Sequence, residues 1–371
     1  MAKPSKKSRN HFNNLNSRFG GNFFAYVYPD NFNTMIKTAL PFFILLMGVL
    51  PAQSVSLTTL LNDKISIRAI AIDKNKVYYA GTGSKFGYVS IKNPADQKQM
   101  LLSEKNPQFR TLAQDRNFFY TINIESPAQF FRIDKKTLSH TVFHTDEDKN
   151  AFYDALHYGN GMFYTFSDPN PDLKLKFLEF NLLNDRFISK AYDTVLLNEG
   201  EAAFAASNTN IASSKNYIWM ATGGKRSRIL RQNLASKTFE VFETPFVQGT
   251  SSQGIYSIDF YKERFGIAAG GDYTKQKENV NNLAVTYDAG KTWQTVASGA
   301  NAGYTTCVRI RPGSRGREIL AVGDQHISYS KDFGKTWNVV SEEKGFYVAE
   351  WISRKQVVLA GNGKISLLDF K

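Results

Sequence analysis

Between residue 55 and the C-terminus the apolar positions fall into short alternating runs, each closed by small or turn-forming residues. Period-two runs of this kind predict half-buried β-strands. One unit recurs: an alternating strand, a turn, a second strand ending in small residues and glycine, a loop, and a third strand. Its first copy holds Ile67-Arg68-Ala69-Ile70-Ala71-Ile72 and Val77-Tyr78-Tyr79-Ala80-Gly81, its second Phe109-Arg110-Thr111-Leu112-Ala113 and Phe118-Phe119-Tyr120-Thr121. Residues 152–157 with 162–166 make the third copy and 203–207 with 217–223 the fourth. The last three are built on 255–271, 304–323 and 346–361. Copies start about 42 to 52 residues apart, the length of a four-stranded antiparallel blade. The expected count is seven; six would follow if the third copy merged with a neighbour.

Two copies carry one octapeptide pattern, Ser/Thr-x-Asp-x-Gly-Lys-Thr-Trp. Thr286-Tyr287-Asp288-Ala289-Gly290-Lys291-Thr292-Trp293 returns as Ser330-Lys331-Asp332-Phe333-Gly334-Lys335-Thr336-Trp337, with the tryptophans 44 residues apart. Asp288 and Asp332 are suited to accept hydrogen bonds from backbone N–H groups of their own turns, and Gly290 and Gly334 to supply positive φ. Each Trp is placed to wedge between neighbouring sheets. The pattern resembles the Asp-box (BNR repeat), a hairpin of sialidases and other β-propellers. An all-β, seven-bladed β-propeller over residues 55–371 is therefore expected. The seventh copy has residues 364–370 as a third strand and then ends, so residues 54–60 are expected to add its outer strand and fasten the ring.

Residues 1–54 read differently. A basic stretch is followed by Met35-Ile36-Lys37, an apolar run over 39–50 and Pro51-Ala52-Gln53-Ser54. A charged start, a dozen apolar residues and a small-residue exit predict a signal peptide, with Met35 as an alternative start and a periplasmic or secreted product. The run is short for a membrane span, so none is expected in the mature chain. The formal charge of +13 falls to about +8 when residues 1–53, with six cations and Asp30, are set aside. An anionic partner is favoured electrostatically. One cysteine, Cys307, excludes an intramolecular disulfide.

The Asp-box turns, the glycine-ended strands and Gly270-Gly271-Asp272-Tyr273-Thr274 together resemble the photosystem II stability/assembly factor-like propellers. That resemblance implies an exported scaffold that binds a protein or glycan, expected to be a monomer. It implies no reaction. In such a ring the loops after each second strand and between blades gather at one mouth of the channel, with the Asp-box turns on the other face. The loop face would carry Lys85, Asp168, Asp172, Arg226, Arg228, Glu199, Glu201, Asp272 and Tyr273, and the 270–282 loop is its longest and most polar. Arg226, Arg228, Glu201, Asp272 and Tyr273 are the candidate ligand-binding residues.

Enzyme chemistry has one candidate pairing, Asp272 with Glu201, as in an inverting glycosidase. Phe131-Arg132-Ile133-Asp134 resembles the sialidase Phe-Arg-Ile-Pro element, but Asp134 replaces the proline and no arginine triad accompanies it. The five histidines lack ligand spacing, and Gly81-Thr82-Gly83-Ser84-Lys85 lacks phosphate-loop spacing. No metal, cofactor or nucleic acid is expected.

Overall fold

The structure, a computed structural model, describes residues 54–184, 186–192 and 194–371. The expected signal segment lies outside them. Every regular element among the described residues is a β-strand, and every pairing in the sheets is antiparallel.

The strands form six hydrogen-bonded sheets, not the seven separate blades the repeats suggested. The difference lies at the join of the chain's two ends. Val55–Asp73 is one strand of 19 residues: residues 55–62 pair with 370–364 of Gln356–Phe370, and residues 67–73 pair with Gly81–Lys76. The first and last repeats therefore share a single six-stranded sheet. No glycine or proline interrupts residues 54–73, so nothing stops that strand half-way. The last residue, Lys371, donates its N–H to Ser54 O at 3.0 Å.

The fourth repeat is also displaced from its expected place. Residues 203–207 form no strand; the inner strand there is Ile211–Ser213, while Glu201–Ala202 and Gly223–Gly224 extend the next sheet. Residues 206–209 instead cross the middle of the ring. Ala206 O accepts Arg68 Nη1 at 3.0 Å, and Asn208 Nδ2 donates to Leu112 O at 2.9 Å while its Oδ1 accepts Leu156 N at 2.8 Å. Ser207 Oγ donates to Thr306 O at 2.6 Å, and Thr209 Oγ1 donates to Ser257 Oγ at 2.7 Å. Five other repeats are tied to this one segment.

The core is a chain of apolar clusters, each shared by consecutive sheets. Phe86 of the first repeat meets Phe119 and Phe131 of the second, and Tyr120 meets Phe163 and Phe180 of the third. Tyr164 and Phe177 then meet Ile218 and Leu230, and Trp219 meets Ile258 and Trp293. Ile267 packs with Ile319, and Tyr329 with Leu359 and Phe370, which returns the packing to the closing sheet. Burial of this much apolar surface on both faces of every sheet is what holds a ring without covalent ties.

Both octapeptides make the same turn. Asp288 Oδ1 accepts Thr292 N at 2.9 Å and its Oδ2 accepts Thr292 Oγ1 at 2.7 Å; Asp332 makes the same two bonds to Thr336 at the same distances. Ala289 and Phe333 (φ 61° and 63°) precede Gly290 and Gly334 (both 81°), so each turn needs two left-handed residues in succession. Trp293 Nε1 donates to Gly290 O at 3.0 Å and Trp337 Nε1 to Gly334 O at 2.9 Å. Each indole packs where its own sheet meets the preceding one, Trp293 in the cluster of Trp219 and Ile258, Trp337 against that of Ile267 and Ile319.

Candidate functional site

The innermost strands share an irregularity that builds the site. Pairing between Val55–Asp73 and Lys76–Gly81 shifts register between Ile67 and Ala69, leaving Arg68 as the extra residue. The same shift leaves Tyr256 unpaired between Ile255 and Ser257, Tyr347 between Phe346 and Val348, and Asp154 between Tyr153 and Ala155. A bulged residue is re-aimed out of the alternation of its strand. In the second repeat Arg110 holds the corresponding place, directly after Phe109, which bridges to Asn123.

Four of these five residues line one pocket of about 400 Å³: Arg68, Arg110, Tyr256 and Tyr347. Phe204, Tyr273, Gln276, Tyr304, Thr306 and Asp324 complete its wall, with Ala205 and Ala206 of the crossing segment. The Arg68 guanidinium lies over the Tyr347 ring, 4.2 Å from its centre. Phe204 and Tyr256 stack at 4.0 Å, and Tyr304 meets Tyr256 edge-on at 4.9 Å. Burial, with the Arg68 charge beside it, draws the Arg110 pKa down, against the pull of Glu125 and Asp154. The pocket thus offers two guanidinium groups set among aromatic rings, an arrangement suited to a carboxylate or other anion with apolar surface around it.

Asp154 sits behind this wall. It is wholly buried, and among the described residues neither of its carboxylate oxygens has a partner in good hydrogen-bond geometry, nor has Oδ1 of Asp168. Burial raises the Asp154 pKa well above the ordinary carboxylate range; the nearby Asp168 adds to this, while Arg110 and the Ala205 N–H oppose it. Asp168 is pushed up to about 6 by burial.

Of the residues singled out in the sequence, Tyr273 alone lines the pocket, half-exposed at 49%. Asp272, beside it, is occupied: it accepts Thr274 N at 2.9 Å and Thr274 Oγ1 at 2.6 Å, and these bonds outweigh burial to hold its pKa low. Glu201 is buried against Arg228, with Nη2 at 2.7 Å and Nε at 2.8 Å, and also accepts Thr222 Oγ1 and both Asn198 nitrogens. Burial favours its neutral form, but that set of donors keeps its pKa low. Glu201 and Arg228 are thus partners of each other. Arg226 is exposed. Arg68, Arg110, Tyr256 and Tyr347 were not among the candidates, nor was Tyr304; the signal for the first four is the recurrence of a large polar residue directly after the first apolar residue of a repeat, as in Ile67-Arg68, Phe109-Arg110, Ile255-Tyr256 and Phe346-Tyr347.

No family model and no curated protein matches this chain. Solved structures do. The streptogramin B lyase structure aligns with a TM-score of 0.63 at 13% identity, covering 85% of this chain and 98% of that one. This chain is a β-propeller. The WD40 β-propeller domain of Doa1 aligns at 0.60 and 8% identity over 85% of this chain and 98% of its own. YCF48 bound to D1 peptide aligns at 0.61 and 12% identity over 87% and 98%. At these identities the likeness is one of fold.

Proposed function

We infer that this propeller is a protein-binding scaffold whose loop-face pocket takes an anionic segment of a partner chain. The observation that carries the reading is the convergence of Arg68 and Arg110 with Tyr256, Tyr304 and Tyr347 on one open pocket. Two guanidinium groups would pair with carboxylate oxygens, and the rings would cover the flanking side chains. The propeller YCF48, similar to this chain in fold, was solved bound to a peptide, which lends the reading support. The matching turns at Asp288 and Asp332 support reading them as Asp-boxes with a structural task. The segment over residues 35–54 supports placing the protein outside the cytoplasm. A glycosidase built on Asp272 and Glu201 has no comparable support, since both carboxylates are already committed to protein donors.

The test is fluorescence anisotropy with a labelled peptide of acidic sequence against the same peptide with its carboxylates amidated. Tighter binding of the acidic form, falling about tenfold or more in Arg68→Met and Arg110→Met, is expected. Equal binding of both forms, or selective binding of an acidic oligosaccharide in place of the peptide, would sink the reading.

A further inference from the structure

The same innermost strands line a second cavity, of about 520 Å³, at the other end of the ring. Its residues stand three positions further along: Asp259 after Tyr256, Arg309 after Thr306, Glu350 after Tyr347, which is about 10 Å at the rise of a strand. The crossing segment divides the two, with Ala205 and Ala206 facing the loop-face pocket and Asn208 lining the second cavity.

The polar groups here converge as ready-made donor and acceptor pairs. Arg309 is held by Nε to Ala349 O at 3.1 Å and by Nη2 to Glu350 Oε2 at 3.0 Å. Among the described residues no hydrogen bond engages its Nη1 or Glu350 Oε1. Asp259 accepts one backbone N–H on each oxygen, from Phe260 at 2.8 Å and Ile310 at 2.7 Å, and each oxygen keeps a lone pair. Burial pushes the Asp259 pKa up to about 6, against the pull of Arg309, and draws His157 down to about 4, so the imidazole is neutral. His157 Nε2 is 2.7 Å from Ser213 Oγ. Trp351, Phe260 and Tyr158 supply apolar surface between these groups.

We propose that this cavity is a separate binding site for a neutral polyhydroxylated molecule of sugar-ring size. A hydroxyl both donates and accepts, so two neighbouring hydroxyls match a guanidinium N–H set beside a carboxylate oxygen, as Arg309 and Glu350 present them. The ring faces of such a molecule would lie on the aromatic walls. Phosphate is disfavoured because Asp259 and Glu350 outnumber Arg309. A metal ion is disfavoured too, since no cluster of three metal-ligating side chains occurs among the described residues.

Titration of tryptophan fluorescence in the full chain, in which Trp351 is the one of four tryptophans that lines this cavity, with glucose, galactose and maltose, and separately with spermidine and inorganic phosphate, tests this. Saturable binding of at least one sugar is expected, weakened about tenfold or more by Glu350→Gln and Arg309→Lys and unaltered by Arg68→Met. Should Arg309→Lys fail to fold, Glu350→Gln carries the test, its side chain being partly exposed. Saturation by spermidine or phosphate alone, no saturation by any sugar, or sugar binding indifferent to both substitutions would overturn the proposal. Because Arg68 belongs to the other pocket, failure here leaves the peptide-binding result standing.

Discussion

Arg68 and Tyr347 meet in the wall of the loop-face pocket, guanidinium over ring at 4.2 Å, and each is the extra residue of a bulge in its own innermost strand. The bulges turn two side chains that strict alternation would send into the sheets toward the axis instead. Replacing Tyr347 by Leu removes the ring beneath the guanidinium and leaves the strand intact. The expected outcome is a several-fold loss of affinity for an acidic peptide with little change in unfolding midpoint, read by anisotropy and urea titration. A large loss of stability would place Tyr347 in the core instead of the site.

Asn208 joins the second and third repeats to the crossing segment through three hydrogen bonds, to Leu112 O, Leu156 O and Leu156 N. It also adopts φ 58°, which Asn tolerates better than most residues. Asn208→Ala leaves buried backbone groups unpaired and adds left-handed strain. A loss of about 2–4 kcal/mol in urea unfolding is expected.

Asp288→Ala and Asp332→Ala remove matching hydrogen-bond sets from matching turns. Partial solvent exposure keeps the effect near 1 kcal/mol, and the two substitutions should cost similar amounts. Peptide binding should not change, because these turns carry no residue of the loop-face pocket. An appreciable loss of binding in either variant would count against a purely structural task.

The carboxyls of Asp154 and Asp168 titrate above their unfolded range, Asp168 at about 6. A raised folded-state pKa means that the native chain holds the proton more tightly than the unfolded one. For Asp168 the associated stability is present below about pH 4 and is lost as pH rises through 6; for Asp154 the loss extends to higher pH. Asp168→Asn should remove its own part of that slope, between about pH 4 and 6, leave the parts of Asp154 and Asp259, and raise stability at pH 7 by about 1–3 kcal/mol. Unfolding midpoints measured between pH 4.5 and 7.5 check both signs; an unchanged slope would remove Asp168 as its source.

Much of the ring is legible in the sequence because it rests on local signals. Alternation marks the strands, the repeated octapeptide marks two equivalent turns, and a leftover β-prone segment before the first repeat pairs with the last strand. The count of sheets is not legible, since continuity of Val55–Asp73 through two repeats is set by hydrogen bonding at both of its ends. Nor is the crossing segment: 203–207 carries the small and apolar residues of an inner strand, yet Ser207 and Asn208 find their partners about 50 to 100 residues away. The site was misjudged for a related reason. Charged loop residues such as Glu201 and Arg228 read as available but satisfy each other, whereas Arg68 and Arg110 read as ordinary strand residues, although a bulge turns Arg68 inward and Arg110 holds the corresponding place in its repeat.

Closure by residues 55–62 on 364–370 also sets an order of events during synthesis. The strand over residues 55–62 leaves the ribosome long before its partner over 364–370, so the ring cannot shut until Phe370 has been made. Until then the unpaired segment is an open strand edge prone to mispairing, and any partner that recognises the assembled channel mouth reads a finished molecule and ignores a nascent one.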